Sequence, residues 1–323
     1  MAILACYAED IDFPNGAAPV VSTTSTTFRS GWARCSVGPN SSSNLMKSTV
    51  FPGGAITSGW LRFYIQGGSG NSFEAGFGKS GTNSAIGIGF ASGSGFMTIE
   101  KYQSGTRTNL ATSTYPIVSV ALTRFDIQLI SYGVSGTINV YINGALQATY
   151  TGDVTLTGVS SLDSVFLLNS ANYSEVIVSD VSTLGLQGLV TYAPNGNGTT
   201  QSWSNPAFTN YSPTTINDAN ATFTNTTSQD EQATINAGPS GTFQIQAVKV
   251  VARALATSGA AASNLKLGFN NTNNSTVAEG SSHALTTAFA PVEDYFATDP
   301  TSAGGTGAWG ANLTGYQLEL RSA

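Results

Sequence analysis

Residues 124–152 read RFDIQLISYGVSGTINVYINGALQATYTG, and their pattern decides the fold class. Ile138, Val140 and Ile142 alternate with Asn139, Tyr141 and Asn143, and after Asn143-Gly144 the alternation resumes at Leu146, Ala148 and Tyr150. Two period-2 runs joined by Asn-Gly specify a hairpin, because both central residues of a type I′ turn take φ > 0. Upstream, Phe125, Ile127, Leu129 and Ser131 alternate with Asp126, Gln128 and Ile130, and Gly133, Ser135 and Gly136 supply a turn. The stretch is a three-strand antiparallel meander.

Working outward, further short strands follow at the spacing of a β-sandwich. Leu61, Phe63 and Ile65 share one face of a strand whose other face holds Trp60, Arg62 and Tyr64. Phe73–Phe77, Ala85–Phe90, Met97–Tyr102, Thr106–Ala111 and Ser164–Leu168 read as strands, as does Trp32–Val37. Met1–Ala8 is apolar but lacks a basic start, and Glu9, Asp10 and Asp12 follow at once, so it reads as a first strand rather than a leader or a membrane span. No helix-period segment exceeds two turns before residue 190.

With 323 residues the chain is long for one sandwich and suits two domains. We place the first at 1–190, a linker at 191–200 (TYAPNGNGTT) and a smaller antiparallel β-sandwich at 201–323. In the second, Thr242–Leu255 reads as one long strand, buried on both faces towards its end. Leu265–Phe269 and Tyr316–Leu320 are further strands, and Asp299-Pro300 starts a turn.

Only 9% of residues are charged, the net charge is −6 and no basic run occurs, so phosphate-neutralising nucleic-acid binding is excluded. Solubility rests on hydroxyl and amide surfaces. The two cysteines, Cys6 and Cys35, read as free buried thiols, with a bond between them the alternative. The single histidine, His283, reads as a loop or surface residue, and no G-x-S-x-G elbow accompanies it. Sequons such as those at Asn40, Asn172 and Asn225 are expected by chance in a chain so rich in Asn, Ser and Thr.

The segment INVYINGALQATYTG resembles the strand–turn–strand of laminin-G and concanavalin-A-like jelly rolls. That resemblance implies a jelly roll over 1–190 whose last strand, Glu175–Asp180, returns beside Ile3–Tyr7. It also implies calcium as the metal, if one is bound, with Asp10, Asp12, Asp153 and Asp163 as loop-edge candidates. The simpler reading makes these turn and cap residues, and no cofactor is required. Concanavalin-A-like folds include glycosidases, but the E-x-D-x-x-E pattern is missing: Glu175 and Asp180 are five apart and Glu293-Asp294 adjacent. No catalytic residue is therefore expected. Sugar binding would use exposed aromatics, and Trp32, Trp60, Tyr64, Tyr102 and Tyr141 are the candidates, each with a core or interface reading beside it.

The second half resembles the C-terminal part of structural proteins of tailed phages. The similarity runs through Trp203, Phe243-Gln-Ile-Gln-Ala-Val-Lys-Val-Val-Ala-Arg253, Asp299-Pro300, Gly307-Ala-Trp309 and Gly315-Tyr-Gln-Leu-Glu-Leu320, and the join SEVIVSD…TLGLQG resembles theirs too. The turn Thr301–Gly307 is longer than their usual one. This resemblance implies a non-enzymatic virion protein on the particle exterior, as capsid decoration, fibre or tail-tip component. It would be assembled in the host cytoplasm and released by lysis. Its partners would be other virion proteins, further copies in a trimer, and cell-surface glycans, with no membrane insertion. A free lectin-like carbohydrate-binding protein is the alternative reading, and a polysaccharide-degrading glycosidase the third.

Overall fold

The structure, a computed structural model, describes residues 3–7, 45–48, 50–66, 73–90, 95–116, 123–168, 172–185, 194–204, 224–235 and 244–323. The chain is all-β and divides into two units, Met1–Val190 and Thr191–Ala323.

The strands of the first unit are β1 (Ile3–Tyr7), β2 (Leu45–Lys47), β3 (Gly59–Gln66), β4 (Phe73–Gly78), β5 (Ser84–Phe90), β6 (Phe96–Gln103), β7 (Thr106–Pro116), β8 (Thr123–Ser131), β9 (Gly136–Ile142), β10 (Ala145–Gly152), β11 (Ser164–Leu168) and β12 (Asn172–Ser179). They form two antiparallel six-stranded sheets, ordered β1-β12-β3-β8-β9-β10 and β2-β11-β4-β5-β6-β7. The meander is β8-β9-β10, turning at Asn143 (φ +50°) and Gly144 (φ +84°), the left-handed pair that a type I′ turn requires. Strand β12 returns beside β1, with Cys6 opposite Ile177 and Tyr7 opposite Val176, as the jelly-roll resemblance implied. Trp32, Cys35, Asp10 and Asp12 lie outside the described residues.

Alternation explains the core. Leu61, Phe63, Ile65, Phe125, Ile127, Ile138 and Val140 project from the first sheet onto Phe77, Ile86, Ile88, Met97, Ile99, Val165 and Leu167 of the second, all with no solvent exposure. Phe63 stacks on Phe125 (5.6 Å between ring centroids) and meets the edge of Tyr173 at 5.9 Å. Each such side chain contributes about 1.5–3 kcal/mol from burial, before chain entropy is counted.

The second unit holds β13 (Pro194–Gln201), β14 (Asp230–Ile235), β15 (Val248–Ala254), β16 (Asn264–Asn271), β17 (Thr276–Glu279), β18 (His283–Ala284), β19 (Ala290–Phe296) and β20 (Tyr316–Ser322). One sheet runs β13-β14-β20-β16-β17, with β18 also on β16; β15 pairs β19 in a second, two-stranded sheet. Between them lie Leu265, Leu267, Phe269, Val250, Val292, Phe296, Trp309 and Leu313. The Trp309 indole N–H donates to the Phe296 carbonyl at 3.0 Å, and Phe269 meets both rings edge-on.

Two expectations change. Residues 191–200 are not a linker throughout: Pro194–Gln201 is an edge strand. Its composition is poor for a strand, but an edge admits a leading proline, and Gly198 sits where a Cβ would stand 2.6 Å from Gln232 Cβ, so only glycine allows that approach. Of the long strand expected over 242–255, the part described, from residue 244 on, is strand only from Val248 to Ala254. Over that span the backbone has β19 as a partner, whereas Ile245 N donates to Gly310 O and belongs to a loop contact. Nor is β15 buried on both faces, since only Val250 is fully covered. No helix among the described residues is long and apolar enough to cross a membrane.

Candidate functional site

The outer face of the first sheet carries two kinds of surface. The register sets Trp60, Gln128, Asn139 and Thr149 in one row across β3, β8, β9 and β10. Arg62, Asp126, Tyr141 and Leu146 form the next row, and Tyr64 stands opposite Arg124 in a third. These positions alternate with the core residues, so the pleat that buries Leu61 and Ile127 turns Trp60 and Gln128 outward.

At one end the face is charged and closed. The Arg62 and Glu175 side chains, 0% and 2% exposed, meet at 3.3 Å. Arg124 grips Asp126 through Nε (2.7 Å) and Nη2 (3.2 Å), and Nη2 also donates to the carbonyls of Thr183 and Leu184. The Thr183 hydroxyl donates to Asp126 at 2.6 Å, so the segment after β12 is pinned over this end. Burial, and after it Arg124, lowers the Arg62 pKa; Tyr64, Glu175 and Asp126 pull the other way. Arg62 also lies over the Tyr64 ring, 5.4 Å from its centroid.

The other end is uncharged and partly exposed: Trp60 is buried, Gln128, Asn139 and Tyr141 are half-buried, and Thr149 is exposed. Tyr141 stacks on Trp60 with ring centroids 5.5 Å apart and planes 30° apart. Asn139 Nδ2 donates to Gln128 Oε1 (3.0 Å), the Tyr141 hydroxyl donates to the same oxygen (3.3 Å), and the Thr149 hydroxyl donates to Asn139 Oδ1 (2.9 Å). Thr137 and Thr151 are joined by a hydroxyl bond of 3.2 Å alongside. The Gln128 amide nitrogen has no hydrogen-bond partner among the described residues and remains available as a donor. Ile130 and Leu146, both exposed, flank the row. At the usual ~4.8 Å between strands, four strands make a row about 14 Å long.

The five aromatic residues singled out from sequence therefore do not form one platform. Trp60, Tyr64 and Tyr141 share this face, but Trp60 is only 8% exposed and Tyr64 belongs to the charged end. Tyr102 is on the outer face of the other sheet, against Ala85 and Phe166. Trp32 lies outside the described residues. Alternation told which residues share a strand face, but not which strands become neighbours.

The acidic candidates also separate. Asp163 is gripped by the Lys79 ammonium and by Ser80 N and Oγ. Burial works to raise its pKa, and these hydrogen bonds outweigh it, leaving the carboxyl below its usual value. Asp153, on the surface, accepts from the Thr155 hydroxyl and N–H and from Lys101, which lower it to about 2. Among the described residues no group of three or more His, Cys, Asp or Glu gathers to hold a metal ion. His283 is in β18 rather than in a loop, with Nε2 3.0 Å from Asp294 Oδ2.

No protein-family model matches this chain, and no curated protein does. Among solved structures, the carbohydrate-binding module CBM66 from Bacillus subtilis is similar at a TM-score of 0.36 and 10% identity, over 52% of this chain and 97% of that one. Domain 4 of AbnA, a GH43 extracellular arabinanase from Geobacillus stearothermophilus in complex with arabinotriose, is similar at 0.35 and 12%, over 58% and 83%. The globular domain of T. cruzi calreticulin is similar at 0.34 and 9%, over 55% and 84%. At such TM-scores the likeness carries no argument about what this chain binds.

Proposed function

We propose that this chain is a non-enzymatic structural and adhesive protein whose first unit holds a neutral glycan on the uncharged half of the β3-β8-β9-β10 face. The observation that carries the reading is the Trp60–Tyr141 stack beside the hydrogen-bonded row Gln128–Asn139–Thr149. An aromatic face takes the C–H side of a sugar, and amides and hydroxyls in fixed positions match its hydroxyls as donors and acceptors. The charges on this sheet are already paired: Arg62 with Glu175, Arg124 with Asp126. That balance favours an uncharged ligand, and it leaves neither carboxylate placed for acid–base chemistry on a bound sugar. Calcium has no part in the reading.

The setting we propose is the exterior of a tailed-phage virion, on the sequence resemblance alone, with other virion proteins and further copies of the chain, in a trimer, as partners.

The test is a glycan array probed with the full chain, then titration of any ligand found. Binding to neutral oligosaccharides that survives chelation of calcium and is lost in Tyr141→Ala supports the reading. Failure to bind any neutral glycan, or equal binding by Tyr141→Ala, overturns it. Immunogold labelling of particles from the source culture tests the setting separately: label on heads or tails supports it, and unlabelled particles sink it.

A further inference from the structure

The outer face of the five-stranded sheet in the second unit carries one acid too many. The register places Gln232, Glu319, Gly268 and Glu279 in one row across β14, β20, β16 and β17. Asp230, Arg321 and Lys266 form the adjacent row. These are all the charged groups on this face among the described strands, Glu319 included: three carboxyls and two cations.

Both cations are engaged elsewhere. Arg321 Nη1 lies 3.3 Å from Asp230 Oδ1 and 3.0 Å from Glu279 Oε1, while Lys266 Nζ lies 2.8 Å from Glu279 Oε2. Glu319 is 0% exposed. Its Oε2 accepts one hydrogen bond, from Gln232 Nε2 at 2.6 Å, and that amide's own oxygen is held by Asn270 Nδ2 and Thr200 N. Among the described residues Glu319 Oε1 is buried and receives no hydrogen bond, while Asp230 Oδ1, likewise buried and without a hydrogen bond, has the Arg321 ion pair at 3.3 Å. Glu319 and Asp230 are diagonal neighbours across the β14–β20 pairing, and burial beside a second carboxylate favours the protonated form of Glu319.

We propose that Glu319 carries a proton which it donates to Asp230, and that losing this proton loosens β20 from β14, so that the second unit is tight in mildly acidic surroundings and slack in alkaline ones. With the proton in place the face balances, two anions against two cations. Without it a third negative charge is buried with a single donor. Strand β20 pairs with both β14 and β16, so a disturbance at Glu319 reaches both neighbours. Burial, first, and the charges of Asp230 and Glu279 raise this carboxyl to about 7, against the Gln232 hydrogen bond that lowers it. The sign follows from the raised value: the stabilisation is complete below the ordinary glutamate value of 4.5 and is lost as pH rises through about 7.

Hydrogen–deuterium exchange of the full chain, corrected for the intrinsic pH dependence of exchange, tests this between roughly pH 5 and 9. Amides of β14 and β20 should lose protection as pH passes about 7, while those of β3 and β8 should not. In Glu319→Gln, which keeps a donor facing Asp230 and cannot ionise, the β14 and β20 protection should not change with pH. Identical pH profiles for the two proteins overturn the proposal. Should the variant fail to fold, side-chain carboxyl titration of the unaltered protein by carbon-detected NMR decides. A glutamate with a midpoint near 7 supports it, and midpoints all in the ordinary range near 4 refute it.

Discussion

Gly78→Ala should destabilise the first unit although it adds only a methyl group to a strand. Gly78 has no positive φ, so its backbone accepts alanine, and the substitution by itself gains about 0.5–1 kcal/mol by removing glycine's freedom in the unfolded chain. The methyl would, however, stand 2.1 Å from Cδ1 and 2.2 Å from Cε1 of Phe166. That ring is 0% exposed and lies against Ala85 and Tyr102, so it has little room to withdraw. Overpacking of this kind costs about 1–3 kcal/mol, which against that gain leaves a net loss of up to about 2 kcal/mol. For a unit of this size that lowers Tm by up to roughly 8 °C, readable by scanning calorimetry. A double-mutant cycle isolates the cause. Phe166→Leu removes the ring atoms that clash, so Gly78→Ala made in that background should become neutral or stabilising. If Gly78→Ala costs the same with Phe166 and with leucine in its place, the close approach is not what demands glycine there.

Two further outcomes follow from local geometry. Gly144→Ala places a side chain at φ +84° and should cost about 1 kcal/mol in urea titration, whereas Asn143→Gly at the neighbouring turn position should be close to neutral. Leu267→Ala, at a fully buried position between the two sheets of the second unit, should cost about 2–5 kcal/mol in the same assay while leaving glycan binding by the first unit unchanged.

Much of the fold was legible because its determinants are local. Asn143-Gly144 and its flanking alternation carry both the turn and the inward residues of β9 and β10, and the structure has Ile138 and Val140 fully buried with Asn139 and Tyr141 outward. The strand Gly59–Gln66 was readable for the same reason. The edge strand Pro194–Gln201 was not, because PNGNGTTQ has the composition of a loop and its pairing depends on Gln232 and Gln317 supplied from β14 and β20. The candidate site was half legible. Trp60 and Tyr141 could be picked out as aromatic residues on outward positions, but their stacking depends on β3, β8 and β9 lying in that order, and Tyr102 looks equivalent until it falls on the other sheet.

The sequence by itself determined that the chain is all-β, where most strands of the first unit run and which side chains of β3, β8, β9 and β10 turn inward, since pleating and turn chemistry act over a few residues. Only the tertiary structure decided the charges. Arg62 finds Glu175 113 residues away, at a bulge where Glu175 takes φ +50°, and Glu319 is left with a carboxyl neighbour on β14 while Arg321 serves Asp230 and Glu279. Desolvation and Coulomb energies depend on what the fold brings within a few ångströms, and no periodicity in the chain records that distance.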